Sequence, residues 1–184
     1  MNSIDIFVQN YFSLIRTPHL TEFMYLLSDL FNPSVSLAII LVFVAFLIYL
    51  VRSWRYSVLF ISTLSVGWFF VYLLKYFFDV SRPLGGVVEA FGQSFPSGHT
   101  TTATIFFVML VYIFDNYLKT FQRTVFNTLC ITSVFLVSFS RVYLGVHWVS
   151  DVVGGLILGA VVCYVFIVIF NRSKNSPSLT SMLE

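Results

Sequence analysis

The sequence predicts an all-α protein embedded in a membrane: a polytopic bundle of about five transmembrane helices, preceded by N-terminal interfacial amphipathic helices. Of its 184 residues, 58% are hydrophobic and only 10% are charged, and the mean hydropathy is +0.91. A soluble domain of this size cannot bury so much apolar surface, whereas helices in lipid expose it. Apolar runs of about 20 residues, the length that crosses a hydrocarbon core, recur along the chain.

The N-terminal part carries two short amphipathic pieces. The first covers about residues 3–15 and stops before Pro18, and the second places apolar residues at helical spacing from Leu20 to Phe31. Both pieces are too short to cross a bilayer, so we expect two interfacial helices. One broken or re-entrant segment is the alternative.

Five apolar runs follow and predict five membrane spans. In chain order they cover residues 34–51, 56–78, 97–114, 125–139 and 148–170. The length suits one membrane-embedded domain, 1–184. Within it we expect an interfacial part (1–33), a transmembrane core (34–170) and a cytoplasmic tail (171–184).

Basic residues predict the orientation. If the spans alternate in direction, one side receives the pairs Arg52 and Arg55, Lys119 and Arg123, and Arg172 and Lys174. The positive-inside rule makes this side cytoplasmic. The opposite side, which we expect to face the periplasm or the cell exterior, receives Arg16, Lys75, Arg82 and Arg141. Ionisable residues in or beside a membrane span are candidate functional residues.

The stretch from Ser140 to Asp151 concentrates polar side chains in an otherwise apolar sequence. His147 and Asp151 are four residues apart, so on a helix they share a face and can touch. A carboxylate at one imidazole nitrogen fixes the tautomer and leaves the other nitrogen free to act as a nucleophile. Arg141, folded back by a turn through Gly145, offers a guanidinium that suits phosphate or carboxylate oxygens. A buried structural ion pair and a capped helix start are the alternatives.

A second cluster lies at the end of the second span. Lys75 and Arg82 are seven residues apart and reach the same side of the membrane as Arg141. Three cations form a cradle for a group that carries two or three anionic oxygens.

A third cluster, Pro96-Ser97-Gly98-His99, opens the third span. Ser97 is the expected N-cap, and Gly98 allows a backbone N–H to approach a ligand closely. Helix N-termini of this kind bind phosphate. With His147 as the candidate nucleophile and His99 as the candidate acid for the leaving oxygen, the three clusters point to phosphoryl transfer.

Other classes of ligand and partner are not indicated. Cys, His, Asp and Glu show no metal-ligand spacing, so we expect no metal and no cofactor. The net charge of +2 and the scattered bases do not suggest nucleic acid binding. No obligatory protein partner is evident. The pair Gly155-x3-Gly159 permits close helix packing, which we assign to packing within the chain, with a homodimer contact as the alternative.

The three motifs resemble those of the type 2 phosphatidic acid phosphatase superfamily. They read Lys75-x6-Arg82-Pro83, Pro96-Ser97-Gly98-His99 and Ser140-Arg141-x5-His147-x3-Asp151. The resemblance is to the membrane lipid phosphatase branch, which includes bacterial phosphatidylglycerophosphate and undecaprenyl diphosphate phosphatases. The family is helical and metal-independent. Many membrane members have six spans, whereas here short interfacial pieces replace the first.

The resemblance also implies residue roles. His147 would attack phosphorus to give a phosphohistidine, Asp151 would hold its ring, and His99 would protonate the departing alkoxide. The phosphoryl oxygens would be bound by Lys75, Arg82, Ser97, Gly98 and Arg141.

We therefore expect a phosphatase at the outer face of the inner or plasma membrane that removes a terminal phosphate from a phospholipid monoester or a polyprenyl diphosphate. Its partners are the bilayer and a lipid phosphate substrate. The candidates are phosphatidylglycerophosphate, phosphatidic acid, undecaprenyl diphosphate and the 1-phosphate of lipid A. A membrane phosphotransferase that uses the same site, or a non-catalytic lipid- or anion-binding protein, is the alternative.

Overall fold

A computed structural model describes residues 3–31, 39–40, 42–46 and 54–175. Its helices with defined bounds are α1 (Ser3–Ile15), α2 (Pro18–Asp29), α3 (Trp54–Phe78), α4 (Gly98–Phe114), α5 (Thr120–Tyr143) and α6 (Val149–Asn175). Residues 39–40 and 42–46 are also helical. Over these described ranges the chain contains no strand, which confirms the all-α class.

Three helices are long and apolar enough to cross a membrane, namely α3, α5 and α6, and α4 is a shorter apolar helix. These four helices coincide with the spans expected at 56–78, 97–114, 125–139 and 148–170. The span expected at 34–51 lies mostly outside the described residues. The apolar helices and their lengths identify a membrane protein.

Helices α5 and α6 are longer than the apolar runs that predicted them. Helix α5 begins at Thr120 and ends at Tyr143, and α6 continues to Asn175, into the segment that we assigned to the tail. Hydropathy marks the part of a helix that lies in hydrocarbon, whereas backbone hydrogen bonds continue through polar residues at either end. Hydropathy therefore placed these two helices correctly but underestimated their length.

Helix α4 lies at the centre of the bundle and packs against α3, α5 and α6. Its side chains Ile105, Met109 and Ile113 are almost fully buried. They form one cluster with Phe60 of α3 and Cys163 of α6. In lipid, such packing stabilises a bundle through van der Waals contact, because lipid tails are as apolar as the side chains themselves.

Two glycines let α6 approach α4 closely. A Cβ atom added at Gly155 would lie 2.8 Å from the Ser97 carbonyl oxygen, and one at Gly159 would lie 2.7 Å from Thr104 Cβ. Non-bonded atoms do not approach so closely, so larger residues would push the helices apart. The glycine pair faces α4 of the same chain, in agreement with the packing role that we expected, and it holds the start of α4 against α6.

Helices α1 and α2 cover the end of the bundle at which α5 ends and α6 begins. Asp5 of α1 accepts hydrogen bonds from the backbone N (3.0 Å) and the Oγ (2.8 Å) of Ser150. Arg16, between the two helices, donates to the carbonyl oxygens of Tyr143 and Gly85, both at 2.9 Å. The N-terminal helices are therefore attached to the segments that carry the predicted site.

Candidate active site

A cavity of about 540 Å³ opens at this end of the bundle. The predicted site residues that line it are Lys75, Arg82, Gly98, His99, Arg141 and His147. The other two, Ser97 and Asp151, are fully buried. Folding thus brings all three sequence motifs to one place.

His147 is held at one of its ring nitrogens. Its Nδ1 lies 3.2 Å from Asp151 Oδ2, and both side chains are buried. Helix α6 begins only at Val149, so His147 belongs to the preceding turn and Asp151 reaches it from the first helical turn. The same Oδ2 accepts a hydrogen bond from Trp148 N at 2.8 Å. Asp151 therefore both contacts the imidazole and caps the helix start.

The other ring nitrogen of His147 faces a cation. Arg82 Nη1 lies 3.2 Å from His147 Nε2. A guanidinium carries only donors, so Nε2 is the acceptor in this contact and Nδ1 carries the ring proton. His147 therefore presents an unprotonated nitrogen on its Arg82 side.

The surroundings keep His147 neutral. Burial is the main cause that lowers the pKa of His147 well below its ordinary value of 6.5. Nearby positive charges lower this pKa further; they belong to Arg141, Arg82 and Lys75. A hydrogen bond with the backbone of Ser94 acts in the opposite direction. An imidazole that stays unprotonated at neutral pH is the form that a nucleophile needs.

Arg82 connects the loop before α4, to which it belongs, with the loop before α6, beside the cavity. Its guanidinium donates to the Val146 carbonyl oxygen at 2.7 Å and to the Gly92 carbonyl oxygen at 3.0 Å. Burial lowers the pKa of Arg82, and the Asp151 carboxylate opposes this shift. The guanidinium still remains charged at neutral pH, because its ordinary pKa lies so high. Arg82 can therefore both fix the loops and attract an anion.

Lys75 lies in the last turn of α3 and holds the loop that precedes α4. Its Nζ donates to the carbonyl oxygens of Gln93 and Ser94, the latter at 3.3 Å. The ammonium group also lines the cavity. Lys75 thus connects the first sequence motif to the loop that leads into the second.

Arg141 lies near the end of α5 and reaches across to α2. Its Nη1 donates to Ser28 Oγ. Its Nε is buried and has no hydrogen-bond partner among the described residues. Gly145 makes the expected turn with a φ of 74°, and Arg141 and His147 line the same cavity. A buried donor without a partner beside a cavity suits an anionic ligand.

The start of α4 has the expected form. Ser97 is the N-cap, and its Oγ accepts hydrogen bonds from Thr100 N (3.4 Å) and Thr100 Oγ1 (3.1 Å). The Ser97 backbone N donates to the Asp151 carbonyl oxygen at 3.0 Å. Because Ser97 is fully buried, Gly98 and His99 are the residues of this motif that face the cavity. Phosphate binding by Ser97 stays a prediction.

Two serines in the site had no signature in the sequence. Ser94 donates to Asp151 Oδ2 and lies 3.3 Å from His147 Nδ1, and Ser28 accepts from Arg141. Ser28 lies 113 residues from its partner, and no periodicity connects them. For Ser94 the one available signal was its position two residues before Pro96, in a loop between motifs.

A helical membrane bundle with a buried, oriented histidine among three cations is the arrangement expected of a membrane-embedded phosphatase. The chain also matches the sequence profile of the PAP2 superfamily over residues 56–175 and therefore belongs to that superfamily. This stretch contains all three motifs, and it confirms the family resemblance.

The individual proteins to which this chain is similar are named as phosphatases. Phosphatidylglycerophosphatase B of Bacillus subtilis (strain 168) is 32% identical over 149 residues, which are 79% of this chain and 73% of the relative. Lipid A 1-phosphatase of Rhizobium johnstonii is 34% identical over 80 residues, 44% of this chain but only 29% of the relative. A crystal structure of a transmembrane PAP2 type phosphatidylglycerolphosphate phosphatase from Bacillus subtilis has a TM-score of 0.86 at 27% identity, covering 96% of this chain and 88% of that one.

Proposed function

We propose that this protein is a lipid phosphate phosphatase that works through a phosphohistidine on His147. The observation that carries the proposal is the position of His147, whose Nε2 lies 3.2 Å from Arg82 Nη1 at a cavity that Lys75 and Arg141 also line. A phosphate monoester in this cavity would meet three positive charges and one nucleophilic nitrogen.

The first half of the reaction forms the intermediate. Nε2 of His147 attacks phosphorus, the P–N bond forms, and the P–O bond to the lipid breaks. The departing alkoxide takes a proton from His99, which faces the same cavity. The imidazole ring becomes positively charged, and the Asp151 carboxylate at Nδ1 stabilises this charge. Lys75, Arg82 and Arg141 stabilise the negative charge on the phosphoryl oxygens.

The second half releases inorganic phosphate. A water molecule attacks phosphorus and gives its proton to the now neutral His99, which acts as a base in this step. The P–N bond breaks, and the electron pair returns to Nε2. The enzyme is then ready for a further cycle.

We infer that these steps need no metal ion. The positive charge that a metal would supply comes from Lys75, Arg82 and Arg141. Over the described residues, no group of three or more His, Cys, Asp or Glu side chains is placed to bind a metal. The support for catalysis by the protein's own cations is that all three of them line the cavity.

The mixed lining of the cavity suits a lipid phosphate. Its lining includes the apolar or aromatic side chains of Phe31, Trp68, Val71 and Tyr72 as well as the cationic groups. A lipid brings both an apolar body and an anionic headgroup. The name of the Bacillus subtilis relative makes phosphatidylglycerophosphate the first candidate. A polyprenyl diphosphate, which the family resemblance of the motifs also suggests, is the second.

The test is phosphate release by the purified protein in detergent. The panel is phosphatidylglycerophosphate, phosphatidic acid, undecaprenyl diphosphate and the 1-phosphate of lipid A. We expect turnover of at least one lipid, resistance to EDTA, inhibition by vanadate and a loss of about 10³-fold or more in His147→Ala. Ser133→Ala is the control and should retain full activity, because the Ser133 hydroxyl donates to the Leu129 carbonyl oxygen of its own helix, α5, and Ser133 does not line the cavity.

Several outcomes would overturn the proposal. Full activity in His147→Ala would remove the phosphohistidine, and inactivation by EDTA would show that a metal takes part. Transfer of phosphate to an added alcohol, without release to water, would identify a phosphotransferase. Lipid binding without turnover in the wild-type protein would identify a binding protein.

A further inference from the structure

We propose that Ser94 is a positioning residue for the nucleophile, whose hydroxyl keeps the ring proton of His147 on Nδ1 and so leaves Nε2 unprotonated. This inference rests on the proposed phosphatase function. It adds to the site a residue that lies outside the three motifs and between the first and the second.

Three buried groups form a closed triangle of contacts behind the nucleophile. Ser94 Oγ donates to Asp151 Oδ2 and lies 3.3 Å from His147 Nδ1, and Nδ1 lies 3.2 Å from the same Oδ2. Ser94 and Asp151 are fully buried, and His147 is almost so. Each polar atom of the triangle must therefore find its partner within the protein.

The proton count of the triangle selects one tautomer. A serine hydroxyl has one proton, and Ser94 gives it to Asp151. Its oxygen then has only lone pairs to offer to His147 Nδ1. An unprotonated Nδ1 would place two acceptors 3.3 Å apart in a buried site, which is unfavourable, whereas Nδ1–H satisfies both Ser94 and Asp151. Ser94 thus opposes the tautomer that would place the proton on Nε2.

Asp151 alone restrains the ring less well. Its Oδ2 also accepts from Trp148 N at 2.8 Å, so the contact with Nδ1 is one of three at a single oxygen. Its Oδ1 is buried and has no hydrogen-bond partner among the described residues. A second acceptor for Nδ1, on the Ser94 side, limits rotation of the ring about this single oxygen.

Ser94 is itself held by its backbone. Its N–H donates to the Val80 carbonyl oxygen at 2.7 Å, and its carbonyl oxygen accepts from Lys75 Nζ at 3.3 Å. The hydroxyl is therefore fixed relative to α3 as well as to α6. Through Ser94, the position of Lys75 in the cavity is coupled to the orientation of His147.

The test compares Ser94→Ala with Ser94→Thr, which keeps a hydroxyl. Ser138→Ala is the matched control, because Ser138 is also buried and lies outside the cavity lining. We expect Ser94→Ala to lower kcat about tenfold with KM changed less than twofold, because the hydrogen bond involves an ionised carboxylate. Ser94→Thr should recover most of the rate, and Ser138→Ala should match the wild-type protein.

Two inhibitors separate positioning from anion binding and from folding. Vanadate mimics the five-coordinate phosphorus and depends on a correctly placed Nε2, whereas inorganic phosphate depends mainly on the cations. We expect Ser94→Ala to weaken vanadate inhibition about tenfold and to leave phosphate inhibition unchanged. A merely misfolded variant would lose both.

The proposal is overturned if Ser94→Ala keeps the wild-type kcat and vanadate affinity, or if Ser94→Thr is as impaired as Ser94→Ala. A higher KM with weaker phosphate inhibition and an unchanged kcat would make Ser94 an anion-binding residue instead. Absence of turnover in the wild-type protein would overturn the phosphatase function separately. Ser94 would then be judged by vanadate binding, and equal affinity in wild-type and Ser94→Ala protein would overturn its role.

Discussion

The imidazole of His147 is buried beside several positive charges, and these surroundings determine how the reaction depends on pH. The groups that face it come from every packed segment: Lys75 of α3, Arg82 of the loop, His99 of α4, Arg141 of α5 and Asp151 of α6. Burial and the cations lower the pKa of His147, so protonation is opposed even in mildly acidic solution.

We therefore predict that the nucleophile stays active when the pH falls from 7.5 to 5.5. At pH 5.5, only about one-tenth of an ordinary imidazole with a pKa of about 6.5 would be unprotonated. Arg82→Gln removes one positive charge, so the pKa of His147 should rise and the acidic limb of kcat/KM should move to higher pH. The measurement is the pH profile of both proteins with one lipid, since titration of the substrate phosphate then affects both equally. Identical acidic limbs would contradict the electrostatic explanation.

At the level of single residues, the sequence predicted the charged groups but not their supports. The three cations of the site were recognisable in the sequence because charged residues are rare in or beside apolar segments and are functional candidates there. They are Lys75, Arg82 and Arg141. Ser94 and Ser28 did not stand out, because serine is common in loops and in amphipathic helices. Their roles depend on which distant side chain folding places beside them, and a single sequence does not contain that information.

Helix α2 is not one of the four apolar helices around the site, but it supplies one of the two serines that hold charged groups of the site in place. Its Ser28 is buried and accepts a hydrogen bond from Arg141. Ser28 thus holds the guanidinium at Nη1, while Nε has no partner in the described part of the chain. The N-terminal helices therefore hold one cation of the proposed anion-binding site in place as well as covering the end of the bundle.

We predict that Ser28→Ala lowers kcat/KM by roughly 10- to 150-fold, because a hydrogen bond to a charged group contributes about 1.5–3 kcal/mol. Inhibition by inorganic phosphate should weaken in parallel, since Arg141 would bind the phosphoryl group in substrate and product alike. This pattern is the opposite of that expected for Ser94→Ala. Ser13→Ala, at an exposed serine of α1 that bonds to the Asn10 carbonyl oxygen, is the control. Phosphate inhibition that is unchanged in Ser28→Ala would refute the assignment.

At the level of helices, the sequence predicted which helices form better than it predicted where they begin and end. The first amphipathic piece was expected at residues 3–15 and α1 covers Ser3–Ile15, because Pro18 and the polar turn end it clearly. Helix α5 has no proline or comparable boundary signal at Thr120, so its start was predicted too late, at residue 125. The attachment of α1 and α2 to the site end could not be predicted, since it depends on tertiary hydrogen bonds such as that between Asp5 and Ser150.

For the molecule as a whole, basic residues lie at both ends of the bundle, but in different surroundings. The end with the cavity carries the cations of the site, which are held by carbonyl groups and by Ser28. Among the described residues, the other end carries Arg55, Lys119, Arg123 and Arg172 near helix ends. Under the positive-inside rule, Lys and Arg in short loops beside the membrane spans keep those loops in the cytoplasm. We therefore propose that the end with Arg55, Lys119, Arg123 and Arg172 is cytoplasmic and that the cavity faces outward.

Labelling of single introduced cysteines tests this orientation in intact cells. Leu84, in the loop beside the cavity, is 94% exposed, and Phe121, near the start of α5 at the other end, is 80% exposed. We predict that a membrane-impermeant maleimide labels Leu84→Cys in intact cells and labels Phe121→Cys only after lysis. The native Cys130 and Cys163 are buried, so the unsubstituted chain should label weakly and serves as the control. The reverse labelling pattern, in variants that keep phosphatase activity, would place the cavity in the cytoplasm. The substrate would then have to be a lipid phosphate of the inner leaflet, because the cationic groups and the histidines all lie at one end of the bundle.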